Sequence, residues 1–346
     1  MSRGYALQAD VSLRAFNTFG VEGRAACLVT VQDAEALPAA LAETRIKDLP
    51  LICIGDGSNV LFVGDFPGVV LRQAATGVAV LRDDGAIGDV RAEAAVGWDG
   101  FVDWSVAKGF AGLENLALIP GRVGAAPIQN IGAYGTEIDE FVTAVEAWDR
   151  STGRTVTLAR DDCGFTYRDS RFKREVDRWI VTALELRLPR RREPRLDYPG
   201  VRTELGSTAG NEPSTVEIAA AIRRIRRRKL PDPAVIGNAG SFFKNPVVPT
   251  DVAQNLIAAN PGLPSYATGA PDRRKLSAAW LIEACGWRGH REGDAGISSR
   301  HALVVVNYGG ATGQQLLALA RQVAECVRAR FSVELVPEPR IVGARF

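Results

Sequence analysis

Short apolar runs broken by glycine and aspartate dominate the first half of the chain, and each reads as a buried strand. Residues 26–31 are the first such run. Asp33 then predicts a helix cap, with the helix running to Glu43 and Pro38 a local irregularity. Residues 51–54 form a strand ending at Gly55, and residues 60–63, 69–72 and 90–96 repeat that pattern. The spacing changes at residues 98–110, where Phe101, Val102, Trp104, Ser105 and Val106 suit a helix stopped by Gly109. Residues 141–148, 155–158 and 179–188 return to strand-like patterning. Alternating strands with few helices predict an α+β module.

Composition shifts at Pro189-Arg190-Arg191-Arg192-Glu193-Pro194-Arg195, a charged, proline-bounded connection. Ser214 then caps a helix containing Val216, Ile218, Ala219, Ile222 and Ile225, which Pro231 ends. Further helices are predicted at 251–259, 276–285 and 312–331, with a strand at 302–307. Residues 333–337 read as extended, returning to another sheet, and no internal repeat or low-complexity segment is seen.

At 346 residues the length predicts two or three domains. A net charge of +2 argues against a nucleic-acid-coating protein, and 46% apolar content argues against disorder. No apolar run approaches the ~18 residues of a membrane span, and the first residues lack the apolar stretch of a secretory signal. Five scattered cysteines without a Cys-x-x-Cys pair predict neither a disulfide framework nor structural zinc. Two histidines, His290 and His301, exclude a polyhistidine metal centre and most histidine acid–base chemistry.

The 35 glycines are clustered. Gly55-Asp56-Gly57-Ser58-Asn59 follows a strand and can form an anion nest for a diphosphate, or a tight hairpin. It is not a Rossmann fingerprint, because Val60 stands at the third glycine and a strand follows. Residues 112–135 alternate small and apolar side chains around Gln129 and Asn130, too long and apolar for a solvent loop. Such a segment lets a large flat ligand approach the backbone.

Residues 55–62 and 112–135 both resemble the FAD-binding motifs of the UDP-N-acetylenolpyruvoylglucosamine reductase family. Tyr167-Arg168-Asp169-Ser170, residues 240–246 (Gly-Ser-Phe-Phe-Lys-Asn-Pro) and Pro337-Glu338-Pro339-Arg340 match in the same order, and Asn17-Thr18-Phe19-Gly20 resembles the family's start. The resemblance covers essentially the whole chain. It implies an α+β fold with a two-lobed FAD-binding module of the PCMH/vanillyl-alcohol-oxidase type at 1–195, split near residue 73. By the same resemblance the tail 332–346 is expected to pack back on that module, with 196–213 a connector and substrate loop and 214–331 a UDP-sugar-binding domain. The implied FAD contacts are Gly55, Asp56, Gly57, Ser58, Asn59, Gly121, Gly124, Ala125, Ala126, Gln129, Asn130, Ile131, Gly132, Ala133 and Gly135. FAD is expected to be non-covalent, since neither histidine lies in a glycine loop.

The resemblance further implies NADPH as co-substrate, UDP-N-acetylenolpyruvoylglucosamine as substrate, and a cytoplasmic step of peptidoglycan precursor synthesis. No metal, nucleic acid, membrane or obligatory protein partner is expected. On the residues alone, Arg168 is a carboxylate clamp or a partner of Asp169. Ser241 is a proton donor or a turn serine, and Glu338 a proline-stiffened acid or an exposed tail carboxylate. The resemblance makes these three catalytic: Arg168 beside the enolpyruvyl carboxylate, Ser241 the general acid at C2, Glu338 stabilising the intermediate. The basic run 223–229 is a solvated face or meets a diphosphate. Tyr198, Arg226, Lys229 and Asn245 are expected to contact substrate, and His301 to be structural. Another FAD-dependent oxidoreductase of the same superfamily and a non-catalytic nucleotide-sugar-binding protein are the alternatives.

Overall fold

In the computed structural model, which describes residues 4–206 and 212–346, the chain divides into two packing units that interleave along the sequence. The first takes residues up to Val11, Ala25–Asp56 and Pro67–Arg227, and the second takes Ser12–Arg24, Gly57–Phe66 and Arg228–Phe346.

Two sheets build the first unit. One has four strands in the order Tyr5–Ser12, Arg24–Val31, Phe66–Gln73 and Leu51–Cys53. Its core packs Val29, Val31, Leu51, Val69 and Leu71 against Leu37 and Ala40 of the short helix Leu37–Leu41. Asp33 does act as a cap, accepting the N–H of Glu35, and Pro38 stands in the first turn of that helix, where its missing N–H costs nothing. The other sheet is antiparallel, in the order Arg154–Ala159, Val142–Asp149, Trp179–Pro189, Ile87–Glu93 and Val78–Asp83. Its central strand Trp179–Pro189 is buried at most positions on both faces, hence its nearly continuous apolar sequence. Helix Trp98–Ala107 lays Trp98, Phe101, Val102 and Ser105 on this core, at helical spacing.

The boundary differs from the expected one at 195–214. Helix Thr215–Lys229 buries Ile218, Ala219, Ala221, Ile222 and Ile225 in the first unit's core, and the division falls after Arg227. An amphipathic stripe needs a partner face, and here it is this core; Leu196, Val201 and Leu205 join the same cluster. The charged stretch at 189–195 is therefore a surface connection within a unit.

The second unit has a four-stranded sheet, Gly237–Asn238, Val305–Asn307, Ala295–Ile297 and Arg291–Glu292, and a three-stranded one, Val247–Pro249, Arg273–Leu276 and Ser265–Ala267. Helices Thr250–Ala259, Ala278–Ala284 and Gly313–Phe331 accompany them. The last begins with a capping box between Thr312 and Gln315. A Cβ on Gly313 would stand 1.9 Å from the Phe62 carbonyl oxygen, so only glycine lets this helix start against strand Val60–Phe62. That strand pairs in parallel with Arg340–Val342. The tail thus returns to a sheet later than the expected 333–337, because Pro337 and Pro339 have no N–H to give a ladder. Its partner strand lies within the range expected for the FAD module, yet both strands pack in the second unit.

Among the described residues no helix is long and apolar enough to cross a membrane, and no cluster of three His, Cys, Asp or Glu could hold a metal.

Candidate functional site

In the first unit, residues 112–135 are largely buried and hold only two single-turn 3-10 helices, Glu114–Leu116 and Val123–Ala125, and the two-residue strand Gly132–Ala133, so many of their backbone groups need partners from side chains. Glu114 accepts the Gly112 N–H at 2.6 Å, Asn115 donates to the carbonyls of Tyr134 and Arg195 at 3.0 Å, and Asp99 accepts the Leu118 N–H at 2.6 Å. Burial pushes the Glu114 carboxyl above its usual range. Leu118, Asn130 and Tyr134 adopt left-handed backbone at φ 60°, 46° and 49°. Such strain persists only where surrounding structure over-determines it, and it clusters at functional sites.

Arg168, itself at φ 54°, lies against this loop. Its guanidinium donates to the carbonyl of Asn130 at 3.3 Å and to that of Gly132, and stands 3.7 Å from the Glu137 carboxylate. The simple pairing with Asp169 does not occur, because Asp169 is engaged by Arg174. The Asn130 side chain is fully buried and spent internally, on Glu137, Thr166 and the Asp139 N–H. Any contact from Asn130 to a cofactor is left to its backbone.

Arg226, on helix Thr215–Lys229, donates to the Leu118 carbonyl at 3.2 Å and is hydrogen-bonded to Tyr134. Burial lowers its pKa, and Arg168 lowers it further by repulsion. The Tyr134 ring meets that of the exposed Tyr198 edge-on at 5.0 Å. Two guanidiniums and two phenols thus gather around one strained loop, a set suited to carboxylate or phosphate oxygens and an aromatic or sugar face. The sequence reading does not single out Tyr134; its place between Ala133 and Gly135 in the glycine cluster is the signal it carries. The neighbouring arginines are occupied structurally, Arg223 with Asp99 and Asp103, and Arg224 with Glu204.

The loop 55–59 is not a hairpin: strand Leu51–Cys53 pairs with Phe66–Gln73, whereas Val60–Phe62 pairs with Arg340–Val342. Gly55 and Asp56 fall in the first unit, Gly57 to Asn59 in the second. Asp56 is met by Arg122 at 2.6 Å and Arg72 at 3.9 Å, leaving local charge positive. A Cβ on Gly55 would stand 2.9 Å from Arg122 Cγ, and one on Gly124 2.6 Å from Ala94 Cβ. Of the other expected FAD contacts, Gly121, Gln129, Gly132 and Ala133 are half-buried, Ala126 and Ile131 are buried, and Ala125 and Gly135 are exposed.

The second unit carries Ser241 and Glu338, both half-buried. Their segments pair: the Glu338 N–H donates to the Phe242 carbonyl at 2.8 Å, Phe243 bridges Pro337, and the Lys244 N–H donates to the Val336 carbonyl at 2.9 Å. Glu338 is thus tied to the residue next to Ser241. Among the described residues no hydrogen bond engages the Ser241 hydroxyl, which the turn-serine alternative would call for. Gly240, at φ 68°, makes the bend before it. Asn245 caps helix Ala278–Ala284 through its side-chain oxygen, which accepts the Ala278 N–H at 2.9 Å. The exposed Lys229 and Arg288 act on His301, whose pKa is lowered by burial first and by those cations next. His301 Nδ1 accepts the Leu303 N–H at 3.3 Å.

Residues 25–159 match an FAD binding domain, and residues 232–342 match the C-terminal domain of UDP-N-acetylenolpyruvoylglucosamine reductase. The UDP-N-acetylenolpyruvoylglucosamine reductase of Xanthomonas euvesicatoria pv. vesicatoria is 52% identical, over 99% of this chain and 98% of its own. That of Xylella fastidiosa is 49% identical, over 98% and 97%. Among solved structures, the crystal structure of UDP-N-acetylenolpyruvylglucosamine reductase from Thermus caldophilus superposes with a TM-score of 0.67 at 26% identity, covering 97% of this chain and 99% of that one.

Proposed function

The chain belongs to the UDP-N-acetylenolpyruvoylglucosamine reductase family, an FAD-containing oxidoreductase, and from that premise we propose how its residues divide the work. The reaction is reduction of UDP-N-acetylenolpyruvoylglucosamine to UDP-N-acetylmuramate, a step of peptidoglycan precursor synthesis, with NADPH as reductant in the cytoplasm.

The glycine loops fit FAD. Gly55 and Gly124 are held to glycine by the close approach of Arg122 and Ala94, and Arg72 and Arg122 leave positive charge beside Asp56, where a diphosphate is favoured. Residues 55–59 and 121–135 would hold the cofactor, their small side chains letting its rings and diphosphate approach the backbone. The hydride chemistry is what bound FAD supplies, between NADPH and C3 of the enol ether.

Everything else falls to the chain. Arg168 receives the substrate carboxylate, its fork oriented by the carbonyls of Asn130 and Gly132. Negative charge that develops across C2 and that carboxylate meets the Arg168 guanidinium and a proton that the Glu338 carboxyl holds or shares, preorganised stabilisation of a kind that supplies several kcal/mol. Ser241 delivers the proton to C2. Tyr198 and Arg226 take the sugar nucleotide together with Tyr134, and Lys229 and Asn245 add substrate contacts.

The observation that carries this reading is the pairing of Glu338 with Phe242, which gives the proposed acid and the proposed stabiliser one shared backbone support. The test is Ser241→Ala. The variant should keep FAD and bind substrate, while the return of flavin absorbance on adding the enolpyruvyl substrate slows by orders of magnitude. Near-wild-type return in a stopped-flow trace removes Ser241 from the acid role. Return driven equally by UDP-N-acetylglucosamine would point to another oxidoreductase.

A further inference from the structure

Asn59 grips both sides of the Glu338 peptide region. Its side-chain amide donates to the Glu338 carbonyl at 3.4 Å, and its own carbonyl accepts the Arg340 N–H at 2.9 Å. One residue later the parallel ladder begins, with Val60 opposite Arg340. Pro339 interrupts that ladder because it has no N–H, and Glu338 therefore lies just outside regular pairing. The Asn59 amide takes the place that a backbone N–H would have if the ladder ran one step further.

Glu338 is consequently held from two directions. Its N–H is fixed by Phe242 at 2.8 Å and its carbonyl by Asn59, while proline on either side stiffens the chain. With the peptide planes before and after the Cα both fixed, only the side-chain torsions remain to aim the carboxyl. The side chain at 59 must be short and carry a donor. Aspartate, ionised at neutral pH, has no donor, and alanine reaches nothing.

We infer that Asn59 is a positioning residue for Glu338: its side chain sets the carboxyl that meets developing charge, a role separate from any contact its loop makes with FAD. This rests on the function proposed above for Glu338. The two half-reactions separate the roles, because only the second, with the enolpyruvyl substrate, calls on Glu338.

The test uses holoenzyme carrying Asn59→Ala, with Asn59→Leu, close in size but without a donor, as the second variant, each alone and combined with Glu338→Gln. Flavin content per chain, thermal midpoint and both half-reactions are measured, the latter across pH. Normalised to bound flavin, absorbance return should slow ~10-fold more than NADPH-driven bleaching does in at least one variant, the scale of a sub-ångström misplacement. In the Glu338→Gln background the same substitution should cost nothing further, since its effect passes through that carboxyl. Loss of flavin from both variants, equal slowing of both half-reactions, or a full ~10-fold loss on top of Glu338→Gln each overturns the proposal. If Glu338→Gln alone leaves absorbance return unchanged, the role proposed for Glu338 fails first and this one falls with it.

Discussion

The loop that holds Arg168 and the segments that hold Ser241 and Glu338 both fix polar side chains on irregular backbone, but by different means. In the first unit the fixing is done with strain. Leu118, Asn130, Tyr134 and Arg168 all sit in the left-handed region, and buried side chains such as Glu114 and Asn115 hold the loop in place. In the second unit the fixing is done with pairing, Glu338 and Phe242 sharing an antiparallel contact and Arg340–Val342 a parallel ladder. A strained loop brings carbonyls and cations close at an energetic cost of about 1–3 kcal/mol per residue. A paired segment costs little and tolerates change wherever the ladder survives.

The largest expected effect comes from breaking the strained side. Arg168→Lys keeps the charge but loses the fork that reaches the carbonyls of Asn130 and Gly132 while facing a carboxylate. Flavin absorbance return with the enolpyruvyl substrate should fall ~10²–10³-fold, with FAD retained. A loss of under ~3-fold would mean that charge alone suffices and the fork is idle.

Next in size is a pair of glycine substitutions. Gly57 has φ 64°, and a Cβ there would stand 2.1 Å from the Phe16 carbonyl oxygen, whereas Gly135, at φ 82°, has open space. Gly57→Ala combines strain with overpacking and should cost ~2–4 kcal/mol in urea denaturation, against about 1 kcal/mol for Gly135→Ala. Equal costs would show that the close approach at Gly57 relaxes freely.

The smallest effect is a pH dependence in the second unit. Folding lowers the His301 pKa from its ordinary 6.5, chiefly by burial, so the folded state favours the neutral ring. Stability from this group is complete above the unfolded value and is lost progressively as pH falls from there through the lower folded value. His301→Gln should therefore flatten the decline of the thermal midpoint between about pH 7 and 5. An unchanged slope would assign the acid sensitivity elsewhere.

Helices with a strong apolar stripe are legible in the sequence alone: Trp98–Ala107, Thr215–Lys229 and Gly313–Phe331 lie where the patterning puts them. Strands Tyr5–Ser12 and Val78–Asp83 are not, because their apolar residues, Val80 and Leu81 among them, are half-buried or exposed and mark no buried face. The two- to four-residue strands of the second unit are too short for any period to show. Arg168, Ser241 and Glu338 stand out by motif, but what holds them does not. The Asn59–Glu338 bond spans 279 positions, and the carbonyls that orient Arg168 belong to a loop whose left-handed residues carry ordinary side chains. Long-range pairing of this kind leaves no local trace in composition or spacing.

The interleaving of the two units bears on how the protein is born. Ser12–Arg24 and Gly57–Phe66 leave the ribosome early, yet they pack with residues beyond Arg228. Strand Val60–Phe62 in particular awaits Arg340–Val342. At ~5–20 residues per second, synthesis of the remaining 119 residues takes roughly 6–24 s after the first unit's last segment is made. For that interval Val60, Leu61 and Phe62, all buried in the finished fold, have no partner strand. That open apolar edge is the place where a chaperone, or a neighbouring nascent chain, would engage first.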